Sequence, residues 1–117
     1  MKCETLDSFV KNYNLNKIDF IKIDVEGHEL NVLEGAVTTL KKFKPSMLIE
    51  IEQRHHNKNI DHIFSFISSF GYEISYYNLE KLRFEQLNNF DIEENQSVEN
   101  IKTSKYINNF FCIHKGI

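Results

Sequence analysis

Ile18-Asp19-Phe20-Ile21-Lys22-Ile23-Asp24-Val25-Glu26-Gly27-His28-Glu29-Leu30 is the stretch that sets the fold class of this 117-residue chain. Its apolar residues Ile18, Phe20, Ile21, Ile23 and Val25 do not alternate cleanly, which is the pattern of a parallel strand covered on both faces. The run over 18–25 stops at carboxylates and at Gly27, a residue that permits a tight turn. A helical pattern follows at once. Leu30, Leu33, Ala36, Val37, Leu40 and Phe43 form one apolar stripe over 29–44. Glu26 and Glu29 at its start and Lys41, Lys42 and Lys44 at its end match the helix dipole, and Pro45 ends it. A second apolar run over 47–51, with Glu50 and Glu52 at its exit, completes a strand-helix-strand unit long enough for a parallel, right-handed crossover. Ligands of open α/β sheets bind at the carboxyl ends of such strands, so Asp24 and Glu26 stand where chemistry is expected.

Outward from this unit the elements are plainer. Thr5 can cap a short helix carrying Leu6, Phe9, Val10 and Tyr13, broken by residues 14–17. A helix is expected over 60–70, closed by Gly71, then a strand over 72–77 and a last strand over 106–114. The polar stretch 78–105, rich in Asn and Glu, reads as an irregular insertion. Most aromatics, Phe64, Phe70, Tyr72, Phe110 and Phe111 among them, read as core.

A content of 41% hydrophobic and 26% charged residues is that of a globular protein, and the length allows one small domain or part of one. A net charge of -3 without a basic stripe argues against a nucleic-acid partner. No apolar run approaches a membrane span, and the polar amino terminus shows no signal peptide. Cys3 and Cys112 lack metal-type spacing, so reduced thiols and a cytoplasmic location are expected.

Several blocks, in order and at suitable spacing, carry a resemblance: "TLDSF" from Thr5, "IDFIKIDVEGHELNVLEGA" from Ile18, Lys44-Pro45 with Glu50, and Phe70-Gly71-Tyr72. Together they resemble the FkbM family of S-adenosylmethionine-dependent methyltransferases. The resemblance implies an α/β, Rossmann-like class I fold with a mostly parallel sheet, flanking helices and an antiparallel C-terminal strand. It also implies methyl transfer from S-adenosylmethionine to a hydroxyl acceptor on a sugar, polyketide or other metabolite. In the family the donor is held mainly by the first half of the fold, through a glycine-rich turn and a ribose-binding acid. Neither feature can be placed on Gly27, Gly35, Gly71 or Gly116. Residues 1–117 are therefore expected to be the C-terminal half of such a domain, binding the cofactor weakly or not at all alone. Strand 18–25 would then be an exposed apolar edge, open to a homodimer partner or to the missing amino-terminal half.

Asp24 is the leading catalytic candidate, since a strand-end carboxylate can orient an acceptor hydroxyl or take its proton, and it is also the candidate for contact with the cofactor. Its plainer role is bonding neighbouring backbone amides. Glu26 is a catalytic candidate beside Asp24 at the reacting centre and can bind the substrate or the cofactor amine, or stabilise the helix start, while Glu29 is expected to serve the helix start alone. His28 is a secondary proton-transfer candidate. Glu50 is expected to approach Asp24 across the crevice, where two carboxylates raise one pKa or hold a cation, and to line the substrate site; Glu52 is expected at the surface. His55 and His56 read as solvent-exposed, and no metal is expected; a metal-binding hydrolase built on Asp24, Glu50 and the histidines His28, His55 and His56 is the weaker of two rival readings. The main rival is a non-catalytic interaction module, or pseudoenzyme, that uses the exposed edge for a partner.

Overall fold

The structure is a computed structural model that describes residues 3–116. Its elements are α1 (Leu6–Asn12), β1 (Phe20–Ile23), α2 (Glu29–Glu34), α3 (Val37–Phe43), β2 (Ser46–Glu50), α4 (Asp61–Ser69), β3 (Tyr72–Asn78), β4 (Arg83–Gln86), α5 (Ile92–Asn95) and β5 (Asn109–His114), with short 3-10 turns between them. The five strands form one mixed sheet in the order β1-β2-β5-β3-β4. Only β1 and β2 pair in parallel; β5 runs antiparallel to both its neighbours, β2 and β3, and β4 pairs antiparallel with β3. The α/β class and the inserted antiparallel last strand are as expected. The expectation of a mostly parallel sheet is corrected: β1, β2 and β3 share a direction, but β5 separates β2 from β3, and that leaves a single parallel ladder.

Helices cover one face. Ile23, Met47, Ile49, Phe110, Cys112, Tyr72, Ile74 and Tyr76 point into it and are buried with Leu33, Leu40, Ile63, Phe64 and Ile67 from the helices. The opposite face carries Phe20, Lys22, Glu73, Phe84, Asn109 and Ile113, all exposed. A smallest Cα extent of 20 Å leaves room for the sheet and one helical layer. The expectation that strand 18–25 is covered on both faces is therefore wrong. Phe20 is 57% exposed, and the paired strand is confined to Phe20–Ile23.

The single helix expected over 29–44 is two helices, α2 and α3, broken at Gly35 and Ala36. The cause is tertiary. Thr5 packs on Gly35, whose added Cβ would lie 3.0 Å from the Thr5 side chain, and the Asp7 N–H donates to the Gly35 carbonyl at 2.9 Å. The Asp7 carboxylate then accepts from the backbone N–H groups of Thr38 (3.0 Å) and Thr39 (2.8 Å), capping α3 from a neighbouring helix. Burial alone would raise the Asp7 carboxyl, but the Thr39 hydroxyl, donating to it at 2.7 Å, and these backbone hydrogen bonds outweigh burial and hold it below its ordinary value. Thr5 caps α1 as expected, accepting from the Ser8 N–H.

The 78–105 stretch is more ordered than its composition suggests. It supplies β4, the short α5, and an anchor at Gln96, whose side chain is buried. The Gln96 amide donates to the carbonyls of Ile51 (2.7 Å) and Ile107 (2.9 Å) and accepts from the Gln53 N–H (2.6 Å). That anchor brings the segment before β5 to the exit of β2. Among the described residues no helix is long and apolar enough to cross a membrane, and Cys3 and Cys112 are free thiols.

Candidate functional site

β1 and β2 run in the same direction, so their carboxyl ends meet at one edge of the sheet, where β5 begins. Asp24 follows β1, Glu50 ends β2, and Glu52 lies two residues beyond it. Asp24 and Glu52 both stand near enough to the Glu50 carboxyl to raise its pKa. Asn108, just before β5, donates one amide to Glu50 Oε1 (3.2 Å) and Glu52 Oε1 (3.1 Å), bridging the two acids. Tyr106 donates its hydroxyl to Glu52 Oε2 at 2.7 Å, and Arg54 pairs with the same oxygen. His55 Nε2 stands 3.9 Å from it.

These contacts split the two glutamates. Burial, then the hydrogen bond with Glu52 and the neighbouring Asp24 charge, push the Glu50 carboxyl up to about 7. Burial would raise Glu52 as well, but hydrogen bonds from Arg54, Tyr106 and Asn108 overcome it and hold that carboxyl well below its ordinary range. One acid of the pair stays ionised, and the other titrates near neutrality. Divergent environments of this kind separate acid and base roles.

The split carries a pH dependence. Folded Glu50 holds its proton more tightly than the unfolded chain, so its contribution to stability is full below its ordinary value of 4.5 and is lost as pH rises through about 7. Glu52 has the opposite sign, stabilising above its ordinary 4.5 and losing that contribution as pH falls through its depressed value. Glu50→Gln is therefore expected to melt higher than the native protein at about pH 8, with little difference at about pH 4. Equal differences at both pH values in thermal melts would contradict the perturbation of Glu50.

The sequence candidates fare unequally. Asp24 and Glu50 come together. Glu26 and His28 are exposed, and among the described residues neither hydrogen-bonds to the cluster; His28 occupies the position before α2 without a side-chain cap bond. Glu52 was expected at the surface but is 4% exposed, because Arg54, Tyr106 and Asn108 satisfy its carboxylate. Glu29 does more than serve its helix start: it is fully buried, with Oε2 accepting from the Gly27 N–H (2.7 Å) and Oε1 bonded to His56 Nε2 (2.9 Å). His56 is correspondingly covered rather than solvent-exposed. Tyr106 and Asn108 escaped the sequence reading because they meet the acids from more than fifty positions away, and only their polarity just before an apolar strand hinted at a role.

Beside the cluster, β3 and β5 diverge. Their ladder ends at Ser75↔Phe111, while β3 stays paired with β4 to Asn78 and β5 with β2 to Asn109. The gap is a groove of about 230 Å³ lined by Tyr77, Leu79, Tyr106, Asn108, Asn109 and Phe111. A larger concavity of about 780 Å³ lies between α1 and α3; its lining includes Asp7 but none of Asp24, Glu50 and Glu52.

The four glycines are each packed against the chain itself. The side on which each would carry a Cβ is already filled from within: Gly27 by the His55 carbonyl, Gly35 by Thr5, and Gly71 and Gly116 by His114. Among the described residues no group of three or more His, Cys, Asp or Glu side chains is arranged to hold a metal ion.

A family model described as "Methyltransferase FkbM domain" matches residues 1–74 of the chain. The match spans Asp24, Glu50 and Glu52, and ends before Tyr106 and Asn108. No curated protein and no solved structure matches.

Proposed function

The chain belongs to the FkbM methyltransferase family, and we propose that it forms the acceptor-side half of an S-adenosylmethionine-dependent O-methyltransferase. The observation that carries this reading is the carboxylate cluster of Asp24, Glu50 and Glu52 at the carboxyl edge of β1 and β2, next to the β3/β5 groove. The strand order, with its last strand inserted antiparallel between β2 and β3, supports reading a Rossmann-like class I fold here and taking these elements as its C-terminal half.

The donor brings a methyl group already activated as a sulfonium, so the protein's task is to place the acceptor and remove its proton. The acceptor sits in the groove, with its hydroxyl at Glu50. Asn108 and Asp24 fix the orientation of that carboxylate, and Glu50 in its ionised form takes the hydroxyl proton as the oxygen is methylated. Glu26, exposed on the same turn, is left to contact outlying parts of the substrate. The donor is held by residues beyond those described. Calorimetric titration of S-adenosylmethionine into the purified chain should accordingly show no micromolar binding; saturation in that range would place the donor site within this half.

One observation favours a second reading, an interaction module without catalysis. The uncovered sheet face presents Phe20, Phe84 and Ile113, each more than half exposed, alongside the unpaired edge of β1. Either way we propose that this face and edge are covered by a second copy or a donor-binding half. Sedimentation should show association of the purified chain that Phe20→Glu weakens at least about tenfold, given the cost of burying a charge there. A monodisperse monomer at high concentration argues against that surface.

A further inference from the structure

We propose that Glu29 and His56 form a clamp that locks the acidic turn after β1 to the loop after β2 and thereby sets the separation of Asp24 from Glu50. They are positioning residues for the site proposed above, and the inference rests on that reading.

The turn is an unusual object to find unsupported. Glu26 has φ +41° and Gly27 φ +100°, two successive residues in the left-handed region. A non-glycine residue holds such a conformation only where its surroundings enforce it. Glu29 supplies that enforcement. Its carboxylate reaches back to the Gly27 N–H with one oxygen and across to His56 with the other, and it is fully buried. His56 lies on the loop that also carries Glu52, the ionised member of the carboxylate cluster, and Arg54 and His55, which stand against its carboxylate. The same loop presses its His55 carbonyl to within 2.8 Å of where a Gly27 Cβ would stand.

Both carboxyl-end turns are thus joined at two points, and the Glu29–His56 pair is the polar one. A buried carboxylate with a single charged or chargeable partner is sensitive to that partner's loss. The other titratable ring facing His56 is His62 of α4, edge-on at 6.5 Å between ring centres. With Glu29 ionised, its bond to His56 places the imidazole hydrogen on Nε2.

The Glu50 carboxyl is a reporter of the separation the clamp sets, because part of its displacement comes from Asp24. Carbon-detected NMR titration of the Glu50 carboxyl should give a midpoint near 7 in the native chain. In His56→Ala the midpoint should move measurably to lower pH as Asp24 moves away, while burial and Glu52 keep it above the ordinary carboxyl value. His56→Gln, which returns an N–H donor near the position of Nε2, should restore it. The core variant Ile67→Val should lower the melting temperature and leave the Glu50 midpoint where it is, separating positioning from general loss of stability. A folded His56→Ala protein with an unmoved midpoint overturns the clamp. If that variant does not fold, nitrogen-correlated spectra of the native imidazole decide: a slowly exchanging Nε2–H supports the clamp, and a freely exchanging ring overturns it. None of these measurements needs methyl transfer, so the clamp and the enzymatic reading can fail independently.

Discussion

If the chain works with a separate donor-binding half as proposed, Asp24→Asn introduced into that assembly is expected to lower turnover by about 10²–10³-fold while leaving the fold intact. Asn preserves the shape of the side chain and removes its charge. Asp24 is exposed and follows the last residue of β1, so no buried packing is lost. What is lost is a carboxylate beside Glu50 whose charge helps hold the latter's pKa near neutrality. The direction of the accompanying pH effect follows. Glu50 must be ionised to accept a proton, so its folded pKa sets the acidic limb of the rate profile. Removing the Asp24 charge lowers that pKa, and the limb should move to lower pH while the plateau falls, because the weaker base accepts the hydroxyl proton less readily. A radiolabelled-methyl assay across pH separates the two effects. Unchanged turnover with unchanged complex formation would favour the interaction module over the enzyme.

What could be read from the sequence was whatever local chemistry determines. The strand, the acidic turn at Gly27 and the amphipathic helix start were legible because apolar spacing, carboxylates and glycine coincide within thirteen residues. The meeting of Asp24 with Glu50 followed from two parallel strands ending at one edge. The break at Gly35 was not legible, since the pattern Leu33, Ala36, Val37, Leu40 continues through it; the interruption comes from α1, whose Thr5 and Asp7 occupy the gap. β4 was hidden for a different reason. Its inward residue is Glu85, bonded to Tyr76 (3.1 Å) and Asn78 (3.2 Å) and paired with Lys81 and Arg83, so the alternation that marks a strand carries a charge where an apolar residue was sought. Glu52, Tyr106 and Asn108 show the same limit at the site. Each is polar by sequence and becomes enclosed only through partners supplied by distant segments.

Gly27→Ala should be the most destabilising single-methyl change in the acidic turn, at about 2–4 kcal/mol in urea denaturation. Two costs combine. The backbone there has φ +100°, which L side chains rarely adopt, and the new Cβ would approach the His55 carbonyl to 2.8 Å. The obstructing atom is main chain, tied at that loop by the Glu52–His55 hydrogen bond, so relief requires moving a turn rather than rotating a side chain. The other glycines supply the comparison. Gly71 also has positive φ, but its close contact is the end of the His114 ring, which can swing aside; Gly35 has an ordinary φ of -80° and meets the Thr5 side chain at 3.0 Å. Gly35→Ala should therefore cost only about 1 kcal/mol, set by how far Thr5 yields. A Gly27→Ala protein no less stable than Gly35→Ala would mean that the turn relaxes freely. Asp24 would then have no fixed bearing on Glu50, because the contact that makes Gly27 irreplaceable is the same one that seats the acidic turn against the loop carrying Glu52.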